Sequence, residues 1–137
     1  MNKNNSRIEC ITYEDETYSL IIRDKYHNEG IEFFTPSNFS QQLGYMSHKS
    51  GHKIQPHFHN YAPREVEYTQ EVLLVKYGKV RVEFYNKKNE FFKSILLDKG
   101  DLILLAKGGH GFVFEEDSAL IEIKQGPYMG NEDKTRF

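Results

Sequence analysis

The 137-residue sequence contains a single cysteine, Cys10, and therefore no pair that could form a disulfide within the chain. It also lacks a surplus of positive charge, because 18 lysines and arginines face 20 acidic residues. A protein that binds nucleic acid normally carries basic residues to neutralise the phosphate backbone. We therefore expect neither a disulfide framework nor a nucleic-acid partner.

Long apolar segments are missing as well. The run at 102–106 is among the longest, whereas a membrane-spanning helix needs about 20 apolar residues. The polar start, Met1–Arg7, is not followed by the apolar region of a secretory signal. These features predict a cytoplasmic protein without a membrane partner, and the length suits one domain over residues 1–137.

The sequence does contain a series of short β-strand patterns separated by polar or glycine-containing turns. In the clearest one, Val80, Val82 and Phe84 alternate with polar residues, as expected for a strand with one wet face. The predicted strands are 8–13, 18–23, 42–47, 71–77, 80–85, 91–97, 102–106, 112–114 and 119–124. A short helix at 37–43 is possible, residues 1–6 are expected to be disordered, and 125–137 to form an irregular C-terminal tail. Closely spaced short strands are typical of an all-β sandwich or barrel.

The segment with the clearest chemical signal contains His57 and His59. In an extended strand, side chains two residues apart point to the same face, so both imidazoles could converge on one divalent cation. A lone His-x-His pattern often occurs by chance and is weak evidence of a metal site.

Further residues make that signal stronger. Gly51, His57, His59, Glu71 and Gly78 occur in the order of the first motif of the cupin superfamily, which the chain resembles. Gly100, Gly108 and His110 match the second motif in part, with Ala106 in place of a proline and His110 one residue early.

Two departures from the family pattern concern the ligands. Eleven residues separate His59 from Glu71, where the family usually has three or four, and Glu65 and Glu67 lie in this gap as competing carboxylates. Only Glu71 keeps the spacing to Gly78. A one-residue slip reverses the direction of a strand side chain, so the shortened second motif leaves the orientation of His110 open.

The C-terminal part is similar to a narrower group, the WbuC-like cupin-fold metalloproteins. The similarity lies in the run 122–128 and in Asp133-Lys134. This resemblance implies an association with bacterial surface-polysaccharide biosynthesis.

Together the resemblances imply a single-domain cupin jelly-roll barrel, that is, a double-stranded β-helix. They imply a divalent metal, one of Fe, Mn, Ni, Co or Zn, bound by His57, His59, Glu71 and His110. The implied activity is that of a metal-dependent isomerase, epimerase or oxygenase acting on a sugar or sugar nucleotide. A homodimer is also expected, with the N-terminal strands 8–13 and 18–23 covering a sheet edge.

Two alternatives stay open. The protein could be a non-catalytic metal- or sugar-binding module, or a metal-free cupin like the nucleotide-sugar epimerases and ketoisomerases, with a histidine as general base. Four converging ligands argue against the latter, since acid–base chemistry needs only one or two groups. His52 is the next candidate ligand if His110 does not take part, while His27 and His48 are expected at the surface.

Overall fold

The computed structural model describes residues 8–137, so the disorder expected for residues 1–6 lies outside the described part. The described chain is all-β, as predicted. Its strands are β1 (Ile8–Tyr13), β2 (Glu16–Ile22), β3 (Gly30–Phe33), β4 (Gly44–Ser47), β5 (Glu71–Tyr77), β6 (Lys79–Tyr85), β7 (Phe91–Asp98), β8 (Leu102–Leu105), β9 (Gly109–Phe114) and β10 (Ala119–Lys124). A 3-10 helix, Gly130–Asp133, interrupts the otherwise irregular C-terminal tail. None of the described segments forms a helix long and apolar enough to cross a membrane.

The short helix considered at 37–43 does not form. In a helix, the Phe39 carbonyl would accept a hydrogen bond from the Leu43 amide. Instead, the Gln42 side chain donates to the Phe39 carbonyl at 2.9 Å, and the Leu43 amide donates to Thr35 Oγ1 at 3.1 Å. Side-chain hydrogen bonds thus replace the helical ones and hold the segment as a turn.

The strands form three antiparallel sheets. The largest has the order β1-β2-β8-β5-β10, the second is β7-β6-β9, and the third is the hairpin β3-β4. Between residues 8 and 137 none of these sheets closes into a barrel. The all-β antiparallel class expected from the sequence is confirmed at this level.

The five-stranded and three-stranded sheets pack face to face around one core. Leu73, Val75 and Ile103 of the larger sheet share a buried cluster with Val82 and Phe84 of the smaller one. Side chains of a strand alternate between its two faces, which explains why β6 reads as apolar and polar residues in turn. One face of β6 lies in the core and the other reaches solvent.

The larger sheet is covered on its second face too. Leu20, Ile22 and Leu104 point away from the first cluster and pack with Leu43, and Phe39 joins them at the edge. Strands buried on both faces read as continuous apolar runs, as β2 and β8 do. The turn at 37–43 therefore covers the second face of the five-stranded sheet.

One buried carboxylate ties the end of β2 to the turn before β8. Asp101 is only 4% exposed, and its side chain accepts hydrogen bonds from the amides of Asp24 and Asp98 at 2.9 and 2.8 Å. The Arg23 guanidinium donates to it at 2.8 Å. Gly100 beside it has a φ of 88°, a conformation that L side chains rarely adopt.

We predict that Asp101→Ala lowers the free energy of unfolding by about 3 kcal/mol, because it leaves two backbone amides without their acceptor and removes one partner of Arg23, which keeps Glu9 and the Leu96 carbonyl. Asp98→Ala is the matched control, since that side chain is 64% exposed and lies 3.7 Å from Lys79. Its loss should stay below about 1 kcal/mol. Urea unfolding of both variants measures the difference, and equal losses would contradict the role given to Asp101.

Candidate functional site

Glu71 begins β5 and points into the space between the two sheets. It shares the strand face of Leu73 and Val75, both of which lie in the core. The residue is only 7% exposed, although it is a carboxylate. A buried charge is costly unless it is paired, so the Glu71 carboxylate needs a partner in the interior.

That partner is His110 on β9. His110 lies opposite Phe84 in the antiparallel pairing of β9 with β6, and opposite residues point to the same face. Because Phe84 is in the core, His110 points inward as well. The orientation that the sequence left open is thereby decided, and Gly108, with a φ of 77°, provides the turn into the strand.

Glu71 and His110 meet across the interior. The distance from Glu71 Oε2 to His110 Nε2 is 3.5 Å. The interaction with His110 lowers the pKa of Glu71, against the opposing effect of burial, and the charges of Lys124 and Lys134 contribute in the same direction as His110. Glu71 is therefore ionised at neutral pH despite its burial.

The pair lies in a large open cleft of about 1740 Å³. Leu73 and Phe112 give it an apolar floor, while Glu122 and Lys107 are among the charged residues around it. Such a mixture of apolar surface and a few polar groups is typical of small-molecule sites.

The C-terminal tail forms one wall of this cleft. Thr69 Oγ1 donates to Asp133 Oδ1 at 3.1 Å, and Lys124 Nζ lies 3.9 Å from the other oxygen of that carboxylate. The Phe137 ring packs edge-on against Tyr85, with ring centroids 5.3 Å apart. Tyr85 also lines the cleft, a position that strand alternation alone does not indicate.

His57 and His59 lie elsewhere. Residues 51–70, which we call the arm, contain no strand, so the extended-strand geometry considered for the two histidines does not hold them. Pro56 immediately before His57 cannot donate to a sheet ladder, and the arm pairs with no described strand. The two rings are nevertheless close, with centroids 5.4 Å apart, and both are exposed.

The four predicted ligands are therefore brought together as two pairs. Across residues 8–137, no three His, Cys, Asp or Glu side chains gather closely enough to hold a metal ion. The competing carboxylates Glu65 and Glu67 lie at the rim of the cleft. His48 is exposed as expected, and so is His52, whose ring stacks on that of His48 with centroids 3.8 Å apart.

Comparison of the chain with protein-family models, with curated proteins and with solved structures finds no match.

The lowered pKa of Glu71 predicts a pH-dependent contribution to stability. A carboxylate with a depressed folded pKa stabilises the fold above its unfolded value of about 4.3, and this contribution is lost as the pH falls through the folded pKa. With chelator present, wild type should be more stable than Glu71→Gln near neutral pH, and the difference should vanish in acid. Unfolding free energies measured across this range test it. Glu67→Gln, at an exposed position, should follow wild type throughout.

Proposed function

We propose that the protein binds a divalent transition metal in the cleft, with Glu71 and His110 as ligands, and uses the site on a small molecule. The observation that carries the proposal is the inward-pointing pair of a carboxylate and an imidazole in an open cleft. The finer assignment of the fold, a cupin jelly roll, belongs to the same proposal. It rests on the order of the motif residues and is compatible with the antiparallel all-β sheets.

The spacing of the pair suits two ligands of one metal. Ligand atoms at about 2.1 Å from a tetrahedral ion lie roughly 3.4 Å apart. Glu71 Oε2 and His110 Nε2 are 3.5 Å apart. The lowered pKa of Glu71 also favours the deprotonated form that a metal requires.

His57 and His59 are proposed as the remaining ligands, supplied by the arm. The Nδ1 atom of His57 lies 2.9 Å from the Gln55 carbonyl. With its proton on Nδ1, the ring would donate to this carbonyl and leave Nε2 free to bind a metal, as is common among ligand histidines. In the structure both histidines are exposed and do not line the cleft, so the proposal requires the arm, which joins β5 at Glu71, to bring them to it.

The proposed ligand of the cleft is a sugar or sugar nucleotide. Among the charged groups around the cleft, the carboxylates of Glu122 and Asp133 can accept hydrogen bonds from hydroxyl groups, and Lys107 can donate to a phosphate. A bound metal would polarise an oxygen of the substrate, which suits isomerisation, epimerisation or, with iron, oxygen chemistry. The substrate class and the link to polysaccharide biosynthesis rest on the resemblance of the tail.

A second candidate function is metal-free acid–base catalysis. A carboxylate that contacts a histidine can orient the ring and stabilise its protonated form, as a general base requires. The Glu71–His110 pair has this arrangement by itself, and the arm histidines would then be dispensable. A non-catalytic binding module is the third alternative, and turnover assays of metal-loaded protein on a panel of nucleotide sugars separate it from an enzyme.

Metal binding should stabilise the fold by about 2.7 kcal/mol at a hundredfold excess over the dissociation constant. We expect chelator to lower the melting temperature of untagged wild type, and to affect His110→Ala and the double variant His57→Ala/His59→Ala much less. His27→Ala and His48→Ala are the controls and should respond like wild type. Elemental analysis of each variant gives the metal content directly.

The carboxylate ligand can be tested in the same way. Glu71→Gln should reduce metal content far more than Glu67→Gln, because Glu71 is held by β5 and Glu67 lies at the cleft rim. Equal losses would mean that the carboxylate is wrongly placed. If wild type takes up no transition metal even after reconstitution, the metal proposal fails and the acid–base alternative replaces it.

A further inference from the structure

We propose that β10 is the surface through which two copies of this chain associate, by antiparallel pairing of β10 with the β10 of a second copy. The pairing would join the five-stranded sheets of both copies into one continuous sheet. This inference does not require a bound metal. It rests on the backbone edge of β10, on the outward Ile121 and Ile123, and on Glu122 and Lys124, which lie on the strand face toward the cleft.

The first argument is that β10 is an open edge. It ends the five-stranded sheet and, among the described strands, pairs only with β5. Over residues 8–137, no side chain is hydrogen-bonded to the backbone of Ala119–Lys124. An edge strand of this kind presents unpaired amide and carbonyl groups to another strand. Its outward apolar side chains, Ile121 and Ile123, are 42% and 60% exposed.

The other outer strands are less available. On β7, the Leu96 carbonyl accepts a hydrogen bond from Arg23 at 2.6 Å. On β9, the Phe137 ring lies so close to Gly109 that a side chain there would collide with it. On β1, the ladder is irregular between Ile11 and Thr12. Among the edges of the two larger sheets, β10 is therefore the one best suited to pair with another strand.

The second argument is that the sequence of β10 is complementary to itself. A two-fold axis perpendicular to the sheet places one residue opposite its own copy, and other residues pair symmetrically about it. With Ile123 on the axis, Glu122 of each copy lies opposite Lys124 of the other. Opposite charges in directly facing positions stabilise a pair of strands.

Neighbouring registers lack this complementarity. An axis at Glu122 would place that carboxylate opposite its own copy, and like charges that face each other are destabilising. An axis at Ile121 would place Glu122 opposite the apolar Leu120 and Lys124 opposite Ser118, so neither charge would face an opposite charge of the second copy. The charges thus favour one register, with Ile123 against Ile123 of the second copy.

A cross-link tests this register. Opposite residues of antiparallel strands have Cα atoms about 4.5–5.5 Å apart, within the range a disulfide can span. In a Cys10→Ser background, Ile123→Cys should cross-link to its copy under mild oxidation. Ile121→Cys is the matched control, because in this register its copy lies roughly 14 Å away. Cross-linking at position 121 but not at 123 would overturn the register.

Charge changes test the same pairing without a cysteine. Glu122→Lys alone and Lys124→Glu alone should each weaken the dimer more than tenfold, because each creates facing like charges. The double variant Glu122→Lys/Lys124→Glu should restore it, because the exchanged charges again face their opposites. A double variant that remains as weak as the single ones would contradict the pairing.

Light scattering of metal-free protein establishes whether a dimer forms. Wild type at micromolar concentration should show twice the chain mass of 16.1 kDa. Ile123→Lys should return the mass to that of one chain. Ile31→Lys should not, since Ile31 has a similar exposure of 53% on the separate β3–β4 hairpin. A monomeric wild type, or a dimer whose mass is unchanged by Ile123→Lys, would refute the proposal.

Discussion

The burial of the Glu71 carboxylate is the constraint on which the site depends. Strand alternation places it on the same face as Leu73 and Val75, so the chain cannot form this apolar core without also drawing a charge into it. An unpaired charge there would cost several kcal/mol. His110 on the facing sheet and the nearby lysines offset this cost, and the compensation leaves two polar groups aimed into an open cleft.

Each face of the five-stranded sheet is covered by a different part of the chain. β6 packs against the inner face of this sheet and buries the main core. The turn that contains Phe39 and Leu43 covers the opposite face. The arm contributes nothing comparable, because it carries exposed aromatic residues such as Phe58 and Tyr61 and no strand. Long segments without secondary structure in a compact domain usually have a function, which agrees with a ligand-supplying role.

Most strands from residue 71 onward could be predicted because each has a clear pattern bounded by a turn, but β9 begins at Gly109, three residues before the predicted 112–114. β5 and β10 match their predicted bounds, and the turn between β5 and β6 falls at Gly78. β3 was missed because its four residues, Gly30–Phe33, are too few for their alternation to be distinguished from a loop. The helix considered at 37–43 failed for a different reason, since the competing hydrogen bonds of Thr35 and Gln42 are not visible in a propensity pattern.

The sequence by itself determined the all-β class, the spacing of the strands and the identity of Glu71 and His110 as candidates. The all-β class and the strand spacing follow from side-chain periodicity and local turn chemistry, which short stretches of chain contain. Glu71 and His110 became candidates through the resemblance of their motifs to those of the cupin superfamily. Tertiary structure alone decided which candidates meet. The direction of the His110 side chain depends on its register against Phe84. His57 and His59 are separated from Glu71 because the arm pairs with no described strand. Both are contacts between residues far apart in the chain, and no local pattern encodes their outcome.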